Sequence, residues 1–499
     1  MKNRKTDGNR SLVLDILLEA EKSRQFGSEL VKQTLNKYDY LEGRDKAFIK
    51  RLGEGCIERM ISLDFLLDQY LSSRPMAKQK PLIRVALRMG AYQILWMDHV
   101  PDHSACNETV KLLEERHFGQ LKGFVNGVLR SIVRDKESGK LPFPKWEEIT
   151  IPTEPGASFL SGDLTKLSVL SSVPELILNC LQADYGCETC FRLAKEQLQV
   201  RPVHIRVSSR VTGEALSDLR ESWKREGYDL LPHPEVPGCY LMGGASGEEA
   251  DPELLQRKKT DPEENGTVRG TAEGPERLPG FAEGLCTVQN ASSMLVALAA
   301  GIQPGDVVMD VCAAPGGKSM HAADLGGIVS AFDLSEEKVM RMEDNFRRMQ
   351  LKECRAAVWD ATVTDPDRVG KADVLLMDVP CSGFGILGRK NDIKYHVTKE
   401  GLASLEQLQK QIVTASLPYC REGAKVIYST CTMRKAENQD MVRWMLDTFP
   451  LEAVSLEEVL PVSLQNDESK AGMCQIFPEA GKYDGFFLAK FRVRKEINL

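Results

Sequence analysis

Two cysteines stand where a reaction can use them. Asp378-Val-Pro-Cys381-Ser-Gly and Ser429-Thr-Cys431-Thr each place a thiol just past an apolar run, the first beside an acid. Carbon 5 of a pyrimidine is not nucleophilic until something adds to carbon 6. A thiolate adds there and leaves an enamine carbon able to attack a methylsulfonium. An acid near N3 and O2 supports the addition by hydrogen bonding as charge builds on the ring. The proton on carbon 5 must then leave before the thiolate is expelled. Two thiols, an acid and a methyl donor supply every part of this chemistry, and these residues leave open which thiol adds. The plain alternative for either cysteine is a small buried hydrophobe. A metal site would need a second ligand pair at metal spacing, and none occurs.

The donor's site follows from a second run, Asp310-Val-Cys312-Ala313-Ala314-Pro315-Gly316-Gly317-Lys318-Ser319. Paired glycines let backbone approach a ligand, and the helix they open offers free N–H groups. A P-loop needs glycine where Cys312 stands, and a dinucleotide site needs G-x-G-x-x-G. A nucleoside whose amino-acid carboxylate meets the loop fits better, and S-adenosyl-L-methionine is such a ligand. Asp333 ends the next strand and can accept from ribose hydroxyls; Asp360 ends the third and can accept from an adenine amine. Gly383-Phe-Gly-Ile-Leu-Gly388 matches the dinucleotide pattern literally but leads into polar Arg389-Lys390-Asn391-Asp392, so it reads as a decoy.

The elements that must hold these residues alternate after residue 285. Val307–Met309, Gly327–Phe332, Ala356–Trp359, Val374–Met377 and Lys425–Tyr428 are short apolar strands ending at the acids and thiols, with helical patterns such as Glu336–Met349 and Leu402–Leu417 between them. Continuous apolar strands alternating with helices predict a parallel sheet covered on both faces, with ligands at its carboxyl ends. Residues 1–140 read instead as an all-helical bundle, with helical spacing in Leu12–Leu17, Phe65–Leu71 and Leu82–Trp96 and a stop at Val100-Pro101-Asp102. Residues 141–175, rich in Pro, Gly and Ser, read as a linker. Residues 176–284 read as an α+β subdomain on the substrate side; within it 246–277, poor in aromatics, reads as a disordered insertion. Cys187-Glu-Thr-Cys190 is a lone pair in a helical pattern and reads as inert.

With 499 residues, 42% hydrophobic and 27% charged, the composition is globular and excludes wholesale disorder and fibres. No run of 18 apolar residues and no signal-peptide core occurs, so the expectation is a cytoplasmic protein without a membrane span. Thirteen scattered cysteines argue for reduced thiols. The net charge of -7 opposes nucleic acid taken alone, yet residues 1–145 hold about 26 Lys/Arg against about 19 Asp/Glu, and phosphate contacts depend on local basic surface.

The chain also resembles known families. Asp310–Ser319, Asp378–Gly383 and Ser429–Cys431, with Pro279–Gly284, Val288–Ser292, Glu437-Asn438 and Asp484–Phe487, resemble the RNA 5-methylcytosine methyltransferases. Arg84–Gln93, Val100–His103, Asn107-Glu108 and Lys122–Arg130 resemble the helical RNA-binding domain of the NusB antiterminators. In this order the two are similar to bacterial small-subunit (16S) rRNA cytosine-5 methyltransferases of the RsmB/Sun type. The resemblance implies a multidomain chain, an all-α NusB-like bundle followed by an α/β Rossmann-like methyltransferase domain over 285–499. It implies S-adenosyl-L-methionine held by Cys312, Ala313, Ala314, Pro315, Gly316, Gly317, Lys318, Asp333, Asp360 and Asp378. It makes Cys431 the nucleophile, Cys381 the helper in adduct breakdown, and small-subunit rRNA the partner, with no DNA and a monomer as the default. Val379, Asn290, Ser208 and Lys435 depart from the usual Ala, Asp, Asn and Pro, and none removes a reacting group. Arg389, Lys390 and Lys394 beside the Cys381 loop are candidate RNA contacts. The competing readings are a methyltransferase for another RNA such as tRNA, and a non-catalytic RNA-binding assembly or antitermination factor.

Overall fold

A computed structural model of the chain describes residues 4–23, 27–38, 40–72, 74–154, 156–243, 274–495 and 497. They divide into two compact units, Met1–Leu198 with Leu387–Val397, and Gln199–Ile386 with Thr398–Leu499. Among the described residues no single helix is long and apolar enough to cross a membrane.

The first unit is helical: α1 (Arg4–Ser23), α2 (Gly27–Lys37), α3 (Gly43–Glu58), α4 (Met60–Asp68), α5 (Pro81–Trp96), α6 (Asp102–Glu115), α7 (Lys122–Glu137), α8 (Ser161–Ser171) and α9 (Glu175–Glu196). Pro81 opens α5 where a missing N–H costs nothing, and Ile83, Val85, Leu87, Met89 and Ile94 are buried, as expected for a helix apolar on all sides. A Cβ on Gly90 would come within 2.6 Å of Leu129 and 3.1 Å of Thr109, so glycine permits the close approach of α6 and α7. The guanidinium of Arg88 crosses the bundle, donating to both oxygens of Asp64 and to Glu21, each at 2.7 Å.

The sequence boundaries shift here. The expected linker over 141–175 contains α8, whose Leu164, Leu167 and Leu170 are buried; Ser62 Oγ on α4 donates to the Val169 carbonyl at 2.6 Å. Its Pro, Gly and Ser content marks the turns around α8, not a free linker. Helix α9 also belongs to this unit, so the α+β part starts at residue 199 and not at 176. Cys187 and Cys190 on α9 are both buried, the latter donating to the Leu178 carbonyl at 3.4 Å.

Leu387–Val397 completes the unit. Ser28 donates its N–H and Oγ to Asp392, at 3.0 and 2.6 Å, in the first turn of α2. Lys394 is the correction to the proposed RNA contacts: it is 3% exposed. Its Nζ donates to the Glu58 carbonyl at 2.8 Å, at the end of α3 where helix carbonyls lack partners. Burial pulls this amine down to about 7, against the pull of Glu58.

The second unit has two sheets. In the smaller, β2 (Leu230–Pro232), β3 (Cys239–Met242), β1 (Val203–Val207) and β4 (Cys286–Val288) lie antiparallel in that order. Helix α10 (Gly213–Arg225) buries Leu219 and Trp223 with Ile205 and Tyr240. Since β4 pairs with β1, the small sheet takes in residues past the expected limit at 284. Of the expected insertion 246–277, residues up to 273 lie outside the described ones; Pro275–Arg277 form a 3-10 turn.

The larger sheet runs β10 (Leu451–Ala453), β12 (Phe486–Val493), β9 (Cys420–Thr430), β8 (Ala372–Asp378), β5 (Val307–Asp310), β6 (Ile328–Asp333), β7 (Cys354–Val358), with β11 (Met473–Ile476) on β12. From β9 to β7 the pairs are parallel, as expected. The sheet then continues antiparallel through β12, β10 and β11, strands that the sequence reading did not assign. Val374, Leu376 and Ile427 join the core on one face, with helix α11 (Ala291–Ala300), while Leu375, Met377, Val426 and Tyr428 join the core on the other. Burial on both faces is why these strands are continuously apolar.

Candidate active site

The site is built on the carboxyl ends of β5, β6, β8 and β9. Strand β5 ends at Asp310, fully buried, which accepts from Ser319 Oγ at 2.6 Å; burial pushes its carboxyl up to about 6. The chain then turns through Cys312, Ala313, Ala314 and Pro315 to Gly316, whose φ of 97° suits only glycine. A Cβ there would also press on Phe346 at 3.0 Å. Gly317 and Lys318 begin helix α12 (Gly317–Asp324). Cys312 is held as a thiol, its pKa pushed up by burial and then by Asp310, Asp378 and Asp333.

Asp333 closes β6 beside this loop. Ala314 N–H donates to it at 3.4 Å, Ser335 N–H at 3.3 Å and Lys338 Nζ at 3.2 Å. Asp360 follows β7, whose Val358 pairs with Asp333; it is exposed, and its Oδ1 accepts from the N–H and hydroxyl of Thr362, which lower its pKa.

Lys318 and Asp378 meet at 2.7 Å, with the Lys318 ammonium 5.4 Å from the centre of the Phe486 ring. Burial opposes the charge on Lys318, but the Asp378 carboxylate prevails and holds its pKa above the ordinary lysine value. Ser429 Oγ donates to the other Asp378 oxygen at 2.8 Å. That contact follows from the register, which sets Asp378 opposite Ser429. Beyond the paired ends, the two turns bring Cys381 Sγ to 3.2 Å from Cys431 Sγ. The Cys381 thiol is pushed up, first by its hydrogen bond to Cys431, then by burial, then by the charges of Cys431, Glu437 and Asp378. Cys381 therefore tends to keep its proton.

Gly385, the middle glycine of the literal G-x-G-x-x-G, lies where three loops cross. Its N–H donates to the Cys431 carbonyl at 3.0 Å, and its carbonyl accepts from Gly485 N–H at 2.9 Å. Asp484, next in line, accepts from Asn290 Nδ2 at 2.7 Å and pairs with Arg201 at 3.3 Å. Ser208 is buried and donates to Asp324 at 2.6 Å, so its hydroxyl serves the interior. Among the described residues no group of three or more His, Cys, Asp or Glu is placed to hold a metal ion.

This arrangement of loops and strands has counterparts. The 16S rRNA methyltransferase RsmB/F family model matches residues 297–492, and the NusB family model matches residues 7–134. Ribosomal RNA small subunit methyltransferase B of Salmonella paratyphi B is 30% identical over 459 residues, covering 90% of both chains. The chain belongs to the ribosomal RNA small subunit methyltransferase B family. The probable family member of Bacillus subtilis is 29% identical over 489 residues, 97% of this chain and 98% of the relative. The fold is shared with the crystal structure of PH0851, at a TM-score of 0.72 and 18% identity over 98% of this chain and 99% of that one. It is shared in part with NSun6 from Pyrococcus horikoshii, crystallised with SFG, at a TM-score of 0.52 and 20% identity, covering 65% of this chain and 99% of that one. In family terms the helical unit carries the NusB match, and the larger sheet with its thiols carries the methyltransferase match.

The sequence reading named Lys318, Asp378, Cys381 and Cys431, and the fold gathers all four. It assigned nothing to Ser429 or to the side chains of Glu437 and Asn438, although Ser429 stands two residues before a singled-out cysteine and Glu437-Asn438 was visible as a shared dipeptide.

Proposed function

We propose that the chain transfers a methyl group from S-adenosyl-L-methionine to carbon 5 of a cytosine in small-subunit rRNA, through a covalent bond between Cys431 and carbon 6. The observation that carries this reading is the pair of thiols at 3.2 Å beside Asp378. The donor set fits the methyl donor: carboxylates end three neighbouring parallel strands, suited to an ammonium and to ribose hydroxyls, and the glycine turn opens a helix toward them. Gly316, Gly317 and Asp333 with the Cys312–Pro315 backbone, Lys318 and Asp378 would hold it. Asp360, whose Oδ1 holds Thr362, keeps its other carboxylate oxygen for the adenine amine. Bound there, S-adenosyl-L-methionine supplies an electrophilic methyl group that carbon 5 takes up.

The rest is the work of the chain. The Cys431 thiolate forms the bond to carbon 6, and the electrons of the 5,6 double bond pass to carbon 5, with charge spread to O2 and N3. Lys318, held charged beside the Asp378 carboxylate, is the donor that can stabilise that charge by hydrogen bonding. Once Cys431 sulfur is bonded to carbon, the hydrogen bond that chiefly raises Cys381 is gone. Its proton then passes more easily to solvent water, and Cys381 as thiolate accepts the proton from carbon 5. The electrons of that C–H bond restore the double bond, the carbon–sulfur bond breaks, and Cys431 leaves as thiolate. Reaching a cytosine in this way requires extruding it, which favours an unpaired loop as target.

The test is methyl incorporation into unmethylated small-subunit rRNA, with purified tRNA in a parallel reaction. Cys431→Ala is expected to abolish incorporation. Cys381→Ala is expected to accumulate a protein–RNA adduct that survives a denaturing gel. An adduct with Cys431→Ala and none with Cys381→Ala would reverse the two roles; preference for tRNA would overturn the substrate.

A further inference from the structure

The β8–β9 register aligns Asp378 with Ser429, but both sulfurs lie beyond the paired strands, in turns that ladder bonds alone do not fix. Two adjacent residues hold those turns. Glu437, fully buried at the end of a 3-10 turn, accepts the N–H and Oγ of Ser382 at 3.0 and 2.6 Å. It also accepts from Gln409 Nε2 at 2.9 Å, and that amide donates to the Pro380 carbonyl at 2.9 Å. Arg434 Nη1 completes its shell at 3.2 Å. The residues on either side of Cys381 are thus tied to one carboxylate.

Asn438 does the same for the other thiol. Its Oδ1 accepts from Thr430 Oγ1 at 2.6 Å, and its Nδ2 donates to the Thr432 carbonyl at 3.0 Å and to Gln475 at 2.8 Å. The residues on either side of Cys431 are tied to one carboxamide. Ser382 Oγ and Thr432 Oγ1, hydrogen-bonded at 2.7 Å, join the two brackets. Burying an ionised carboxylate is costly even when paired, and apolar packing would serve stability as well. A four-donor shell around a turn is better suited to fixing a position.

We propose that Glu437 and Asn438 are positioning residues with divided tasks: Glu437 sets the Cys381 turn and governs adduct breakdown, while Asn438 sets the Cys431 turn and governs adduct formation. This rests on the covalent reading above. A misplacement of about 1 Å at a reacting group costs on the order of 10²-fold in rate, so partial loosening is expected to cost about tenfold in the step concerned. The experiment is a single-turnover time course with small-subunit rRNA and labelled S-adenosyl-L-methionine, following adduct on denaturing gels and 5-methylcytosine in the product, with circular dichroism of each variant. Glu437→Gln is expected to prolong the adduct about tenfold while forming it at nearly the wild-type rate; Asn438→Ala is expected to slow formation about tenfold and leave the lifetime unchanged. Ser382→Ala and Thr430→Val, which each remove one hydroxyl from the brackets, are expected to show the same division at smaller size. Equal effects on both steps, wild-type behaviour throughout, or loss of fold in all four variants would overturn the division. Methylation by Cys431→Ala would instead overturn the covalent reading, so the two failures are distinct.

Discussion

Asp378 is the residue on which Lys318 and Ser429 both depend, and its charge is what keeps the buried Lys318 protonated. Asp378→Asn removes that charge while keeping the shape. Burial then acts on Lys318 against only the smaller pull of Asp310 and Cys431, and its pKa is expected to fall below the ordinary lysine value, measurable by NMR titration of the lysine ε-carbons. Catalysis is expected to drop by on the order of 10²-fold, because the Lys318 ammonium is no longer held charged and in place toward the developing charge, while the fold persists. An unmoved Lys318 titration would show that Asp378 does not hold its charge. At this scale the sequence was most informative where chemistry is rare: two thiols and an acid just past apolar strands were visible without coordinates. The tasks of Glu437, Asn438 and Ser429 were not, because they depend on which turn each side chain faces, and that is set by the pairing of distant segments.

The strands and their turns show why Gly385 is glycine. A Cβ built there would lie against the Gly485 carbonyl and within 2.8 Å of the Cys431 carbonyl, both backbone atoms that cannot swing aside. Gly385→Ala must therefore push the Cys381 turn away from the Cys431 turn. The expected cost is about 1–3 kcal/mol of stability, as for an overpacked interior, with a larger loss of methyl transfer than of melting temperature. A variant with unchanged activity would mean that the crossing of these loops does not matter to the thiols. The literal dinucleotide pattern at Gly383–Gly388 thus meets a packing need. Apolar runs such as Val374–Met377 revealed the covered sheet, since burial on both faces leaves no alternation. The antiparallel β12 stayed hidden because Lys490 and Arg492 interrupt the apolar residues of Phe486–Val493, and a strand's sequence carries no direction.

At the scale of the whole chain, composition separated a helical half from an α/β half but misjudged the joints. Pro, Gly and Ser over 141–175 mark turns around α8, and the chain re-enters the helical unit at Leu387–Val397, an excursion that no local pattern announces. Lys394 within that excursion makes the point testable. Its amine titrates near 7 when folded, against an ordinary value of 10.5. Between those values the unfolded chain binds the proton and the folded one does not, so stability rises with pH across this window, and the full penalty is present below pH 7. The span corresponds to roughly 5 kcal/mol. Lys394→Met removes the titrating group, and unfolding measured by urea from pH 7 to pH 10 is expected to lose that upward slope relative to wild type. Parallel slopes in the two proteins would place the Lys394 amine in water and not against the Glu58 carbonyl, and would return it to the exposed basic residues available to RNA phosphates.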